Sequence, residues 1–240
     1  KRWLNEDKIK WFNDPEGIIQ SEESRDKRLL LATMYHVDYT VGEILDALKE
    51  AGQRDNTIIL FSSDNGPWRN NAGGGYPDNY PLKDYNQPDN KRGKKLDVWE
   101  GGIHVPGFIN WPGKIKPREI EEYVHIIDWF PTLANIVGIN PDKKVEWDGV
   151  DLSPLLFGDG SLKERNLYWI WHSITNRWAL RYNDWKIVKY GTDEPQKPED
   201  WGLYNLENDT EEKNNIAKQH QEKLKQLHEM FLIQRAKDIK

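Results

Sequence analysis

Two short stretches hold residues whose types and spacing suit chemistry. The first is Ser63-Asp64-Asn65-Gly66. Asp64 offers a carboxylate and Asn65 a neutral amide oxygen, both hard ligands suited to calcium or magnesium. Gly66 lets the backbone turn sharply after them, and the same three residues also read as an ordinary turn. The second stretch is Arg92-Gly93-Lys94-Lys95, followed by Trp99-Glu100-Gly101-Gly102. Basic side chains on a glycine-containing loop hold a tetrahedral oxyanion by charge-assisted hydrogen bonds, although a basic loop can also be simply solvated. Glu100, before two glycines, reads as a structural turn or as a partner for a cation.

The elements around them suggest how such residues would be positioned. Residues 24–51 have helical spacing, with Leu30, Met34, Val37, Val41, Ile44 and Leu48 on one face. Gly52 is placed to stop that helix. Residues 57–61 form a short apolar run, the signature of a strand buried on both faces in a parallel sheet. Asp64 and Asn65 then fall just past its carboxyl end, where open α/β sheets bind ligands. Residues 66–95 form a long loop rich in Gly, Asn, Pro, Asp and Tyr, and long ordered loops are usually functional. Residues 103–111 are expected as a strand and 124–137 as a helix. Beyond about residue 158 the texture changes to short aromatic strands at 167–172, 178–182, 185–190 and 203–206. Asn183-Asp184 is a hairpin turn. A charged helix is expected from Glu211, with Ile216, Leu224, Leu227 and Phe231 on one side. Residues 1–23 read as a lead-in.

Composition narrows the function classes. The chain has 240 residues and a net charge of -6, with no Lys/Arg run that would form a nucleic-acid stripe. It has no cysteine, which excludes a disulfide, a thiolate metal site or a cysteine nucleophile within it. No run of about eighteen apolar residues exists to span a membrane. Twelve Trp and ten Tyr can build a core and can also line a carbohydrate or aryl pocket.

Taken in order, the motifs resemble the C-terminal signature of the formylglycine-dependent (type I) sulfatases, of the alkaline-phosphatase-like superfamily. They are FSSDNGPW (61–68), GKKLDVWEGG (93–102) with Val105-Pro106-Gly107, and Trp111-Pro112-Gly113. Asp128-Trp-Phe-Pro-Thr132, Asp148-Gly-Val-Asp-Leu152, and Ala179-Leu-Arg181 with Asp184-Trp-Lys186 continue the series. Leu203-Tyr-Asn-Leu-Glu-Asn-Asp209 with Asn215-Ile-Ala217 ends it. The match runs from about Arg28 to about Leu227.

The resemblance implies an α/β fold: the C-terminal part of a mixed or parallel sheet with flanking helices in residues 1–158. A small antiparallel sheet with a terminal helix would occupy residues 159–240. It implies that Asp64 and Asn65 ligate one calcium ion completed by residues outside this chain, and that Lys95 contacts the substrate sulfate. Arg92 is a substrate-pocket candidate. Trp68, Asn71 and the loop tyrosines are candidates to shape the leaving-group pocket. The implied reaction is sulfate-ester hydrolysis, on a sulfated carbohydrate or an aryl sulfate, by attack of a hydrated formylglycine on sulfur. The Arg92-Gly-Lys-Lys95 form and its long loop point by analogy to sulfated amino sugars.

One departure is large. The C/S-x-P-x-R motif that yields formylglycine is absent, as are the family's N-terminal Asp ligands. The chain is therefore expected to begin midway through the protein, to need its own N-terminal half as a partner, and to be inactive alone. A periplasmic or secreted location follows by family analogy. Two alternatives stand beside this reading: a phosphoester or phosphonate hydrolase of the same superfamily, and a non-catalytic carbohydrate-binding fragment.

Overall fold

The structure, a computed structural model, describes residues 25–67, 91–139, 147–173 and 175–238. The lead-in at 1–23, Trp68, Asn71 and the tyrosines of the long loop lie outside them. The described residues fall into two compact units, 25–61 with 109–113, and 62–67, 91–108 and 114–238.

The first unit is built on α1 (Arg25–Glu50). Its stop is a Schellman turn: the Gln53 amide donates to Leu48 O at 2.8 Å and the Gly52 amide to Lys49 O at 2.9 Å. Gly52 takes φ +65°, which costs glycine nothing. The apolar face expected of this helix is open in this chain, with Met34 58% and Ile44 52% exposed. β1 (Ile59–Ser62) pairs with β2 (Gly107–Asn110) in a two-stranded sheet. Residues of β1 alternate between half-buried and exposed instead of being buried on both faces, because β2 is the one strand beside it among the described residues. β2 is shorter than expected. Residues 100–103 coil into a helical turn, α2 (Glu100–Ile103), and the strand begins after Pro106.

The second unit centres on an antiparallel sheet in the order β3 (Asn166–Trp171), β4 (Asn176–Tyr182), β5 (Trp185–Gly191), β6 (Gly202–Asn205). Before it come α3 (Trp129–Ile136) and α4 (Ser153–Phe157). After it comes α5 (Gln221–Asp238). The hairpin register sets Arg181 opposite Lys186 and Ala179 opposite Val188, with Asn183 at φ +53° in the turn. Side chains alternate across a strand, so the sheet buries two faces. Trp178, Leu180, Ile187 and Leu203 pack on Leu224, Leu227 and Phe231 of α5. Ala179, Val188 and Tyr204 pack instead on Val98 and Trp99.

The helix expected from Glu211 starts ten residues later, at Gln221. Asp209 accepts the amides of Lys213 and Asn214, at 3.1 and 2.7 Å, and Glu212 takes φ +52°. These side-chain bonds offer the backbone an alternative to the helix. Before the sheet, Asp128 is fully buried and fixes the entry to α3. Its carboxylate accepts the amides of His125 (2.7 Å) and Val150 (3.0 Å) and both terminal nitrogens of Arg165. Thr132 Oγ1 donates to Asp128 O at 2.6 Å and accepts the Leu152 amide at 2.8 Å. These bonds occupy residues 126–128 in a 3-10 turn, so the helix begins at Trp129 and not at 124.

Candidate active site

The turn after β1 and the basic loop meet through their backbones. The Gly66 amide donates to Gly102 O at 2.9 Å, and the Lys95 amide donates to Pro67 O at 2.9 Å. A Cβ on Gly66 would lie 1.8 Å from the Gly101 carbonyl oxygen, and one on Gly102 would lie 2.4 Å from Asp97 O. Only glycine permits that approach. Asn65 and Asp64 therefore sit one and two residues from the contact, and Lys95 on its other side.

Within the first stretch, Ser63 Oγ donates to Asn65 O at 3.0 Å. Asn65 Nδ2 donates to Asp64 Oδ1 at 3.0 Å and to Gly66 O at 3.3 Å. The amide nitrogen of Asn65 is thus engaged, and it occupies one carboxylate oxygen of Asp64. Asp64 is exposed and Asn65 half-buried. Among the described residues no three His, Cys, Asp or Glu side chains cluster as a metal site. The pair is chemically suited to a hard cation, and two donors fall short of the six to eight oxygens that calcium takes.

The basic loop is anchored along its length. Arg92 lies 3.8 Å above the Trp99 ring centre and donates to Glu212 O at 3.0 Å. Trp99 stacks on Tyr190, with centroids 5.4 Å apart. Leu96 takes φ +77°, a strained state for a branched side chain. Arg177 Nη1 holds its carbonyl at 2.7 Å, and the Asp97 amide closes a turn on Lys94 O at 2.9 Å. Tyr190 donates to Asp97 at 3.2 Å; burial, and then the Asp97 charge, push its phenol well above the ordinary range. Lys95 is half-buried, and its Nζ has no carboxylate partner among the described residues.

Glu100 is a buried anchor, 4% exposed. It accepts from Lys186 Nζ at 2.8 Å and Arg181 Nη1 at 2.9 Å, with His104 Nδ1 3.5 Å away. Lys186, fully buried, also reaches Glu212 Oε1 at 2.9 Å. The Glu100 amide donates to Glu212 Oε2 at 2.7 Å. Burial pushes the Glu100 carboxyl up, but Lys186, His104 and Arg181 outweigh it and hold the group well below the usual carboxylate range. Burial pushes Glu212 the other way, above that range, against the pull of Lys186. Glu100 is thus a partner for cations, one of the two roles its position in the sequence suggested. Arg181, Lys186 and Glu212 were not singled out as site residues in the sequence. The available signal was parity: Arg181 and Lys186 share the strand face of Ala179 and Val188, an odd place for charge without a buried partner.

A four-stranded antiparallel sheet with a terminal helix, and a strand followed by a polar turn beside a basic loop, make this an α/β protein of alkaline-phosphatase-like fold. Residues 6–139 match the family model described as Sulfatase, and residues 93–237 match that of N-sulphoglucosamine sulphohydrolase, C-terminal. The chain belongs to the sulfatase family. It is 32% identical over 209 residues to N-acetylgalactosamine-6-O-sulfatase of Bacteroides thetaiotaomicron, covering 81% of this chain and 39% of that protein. Its fold is similar to BT33336S-sulf, from a Bacteroides thetaiotaomicron locus for glycosaminoglycan metabolism. There the TM-score is 0.71 at 27% identity, over 93% of this chain and 47% of the other. It is also similar to Ps i-CgsB, solved in complex with k-i-k-neocarrahexaose, with a TM-score of 0.67 at 26% identity, over 88% of this chain and 43% of that one. The chain spans about two fifths of that first curated relative's length.

Proposed function

We propose that this chain is the sulfate-binding half of a calcium-dependent sulfatase that hydrolyses sulfate esters of a carbohydrate. The observation that carries this reading is the backbone junction of Gly66 with Gly102 and of Lys95 with Pro67. It sets the backbone of the turn that carries Asp64 and Asn65 against that of the loop that carries Lys95, which supports a shared task for their side chains. Asp64 and Asn65 would hold the calcium ion, which when bound supplies Lewis acidity toward a sulfate oxygen. Lys95 presents a fixed positive charge where negative charge crowds on the transferred group. Arg92 is exposed and, besides its contact with Trp99 and its bond to Glu212 O, would donate to a substrate oxyanion. The attacking formylglycine would come from residues outside this chain, and this chain alone would be inactive.

Open apolar side chains on each unit, taken separately, support a covering N-terminal half. On α1 they include Met34 and Ile44; on α3 and at its end, Phe130 and Val137 are 63% and 65% exposed. Faces of that kind mark interaction sites. The sugar class rests on the relatives, one an N-acetylgalactosamine-6-O-sulfatase and one solved in complex with k-i-k-neocarrahexaose. The test is turnover by the full-length protein of 4-nitrophenyl sulfate, 4-nitrophenyl phosphate and 6-O-sulfated N-acetylgalactosamine. Sulfate release faster than phosphate release is expected. The reverse order would favour a phosphoester hydrolase, and no turnover at all would favour a carbohydrate-binding module.

A further inference from the structure

The buried charges around Glu100 do more than fill a core. They join the C-terminal sheet to the loop that carries Lys95. Lys186 on β5 and Arg181 on β4 face each other across the hairpin and both reach Glu100. Glu212, in the segment after β6, takes Lys186 with one oxygen and the Glu100 amide with the other. Its carbonyl takes Arg92, at the other end of the same loop. From Glu100 the path is short. The next two residues, Gly101 and Gly102, are those against which Gly66 packs.

We propose that Lys186, held between Glu100 and Glu212, is a positioning residue that locks loop 92–102, and with it Lys95 and the Asp64–Asn65 turn, in the geometry required for turnover. This rests on the sulfatase reading above. The charges within the cluster balance, two carboxylates against Lys186 and Arg181, with Arg92, Tyr204 and His104 at its edge. Three of its contacts are hydrogen bonds, and Glu212 Oε1 meets Lys186 as an ion pair alone; such a balanced group is rigid, whereas a buried charge left without its partner is strongly unfavourable. Removing Lys186 leaves Glu100 and Glu212 facing each other. Their repulsion is greatest when both are ionised, and Glu212, already raised by burial, takes up a proton first on acidification.

The experiment uses the full-length protein and three variants. In Lys186→Met, kcat on 4-nitrophenyl sulfate is expected to fall by about a hundredfold, the cost of roughly 1 Å of misplacement. The deficit should shrink toward acid pH. Exchange of the Gly66 and Lys95 amides with deuterium should become fast. In the double variant Lys186→Met with Glu212→Gln the repulsion is gone, and the neutral side-chain oxygen introduced there still accepts the Glu100 amide. Most of the activity and amide protection should then return, with no added pH dependence. Leu227→Ala, buried against the opposite face of the sheet, is the control for lost stability and should keep kcat while folded. Wild-type kcat and slow exchange in Lys186→Met would overturn the proposal, as would failure of Glu212→Gln to rescue it or an equal loss in folded Leu227→Ala. A wild-type protein inert toward sulfate esters would overturn the sulfatase reading instead. The exchange rates would then decide the clamp by themselves.

Discussion

Gly66→Ala is the smallest change that should separate the two halves of the candidate site. The added carbon would stand 1.8 Å from Gly101 O, where ordinary contact begins at 3.4 Å, a shortfall of about 1.6 Å. The opposing atom is backbone, and Gly101 is itself held by its amide on Arg92 O at 2.6 Å. The strain cannot be relieved by a rotamer, so one loop must move. Overpacking costs about 1–3 kcal/mol. Losing the Gly66–Gly102 hydrogen bond adds about 1 kcal/mol. Stability should therefore fall by roughly 2–4 kcal/mol. Because a misplacement of about 1 Å costs on the order of a hundredfold in rate, kcat/KM on an aryl sulfate should fall by at least that factor. The assay is steady-state turnover by the full-length protein, with thermal unfolding measured with and without calcium. The rise in Tm on adding calcium should shrink in the variant, since stabilisation by a ligand follows its affinity. Gly42→Ala is the control: its added carbon meets nothing within 4 Å, so it should be neutral or slightly stabilising. A Gly66→Ala protein within threefold of wild-type kcat/KM, with an unchanged calcium shift, would refute the reasoning.

Lys95→Ala should lower turnover by about a hundredfold or more, the usual loss for a group facing a developing oxyanion, with Tm nearly unchanged because its Nζ holds no carboxylate among the described residues; steady-state kinetics and a melting curve check both. Asp128→Ala leaves the guanidinium of Arg165 and two half-buried amides without their acceptor, and should destabilise by about 3–5 kcal/mol in urea unfolding. The Glu100 carboxyl sits below its ordinary value of about 4.5 when folded, so its contribution is present above that pH and lost as pH falls. Calorimetry should show Tm dropping below about pH 4.5, while Glu100→Gln starts lower at neutral pH and loses less over the same interval.

Much of this was legible in the sequence because local signals agreed. The 3.6-residue spacing and Gly52 located α1 to within a residue at each end. Alternating aromatics around Asn183-Asp184 located the β4–β5 hairpin. Boundaries moved where a side chain captured backbone amides. Asp128 delayed α3, and Asp209 delayed α5. Periodicity carries no information about such bonds. The two chemical stretches were visible by residue type, but their junction was not. Gly66 and Gly102 are 36 positions apart in the chain, and the closeness of their backbones depends on the missing side chains. The buried cluster was hidden for a related reason. Glu100 could be read as a partner for a cation, but its partners could not: Lys186 and Glu212 are far from it in the chain and meet it only through the fold.

Sulfate release measured by ion chromatography tests the central claim most directly. The full-length protein, incubated with a 6-O-sulfated N-acetylgalactosamine, should release sulfate in the presence of calcium, stop when calcium is chelated, and lose about two orders of magnitude with Lys95→Ala. Sulfate release that persists in full after chelation and in Lys95→Ala would contradict the roles given to Asp64, Asn65 and Lys95.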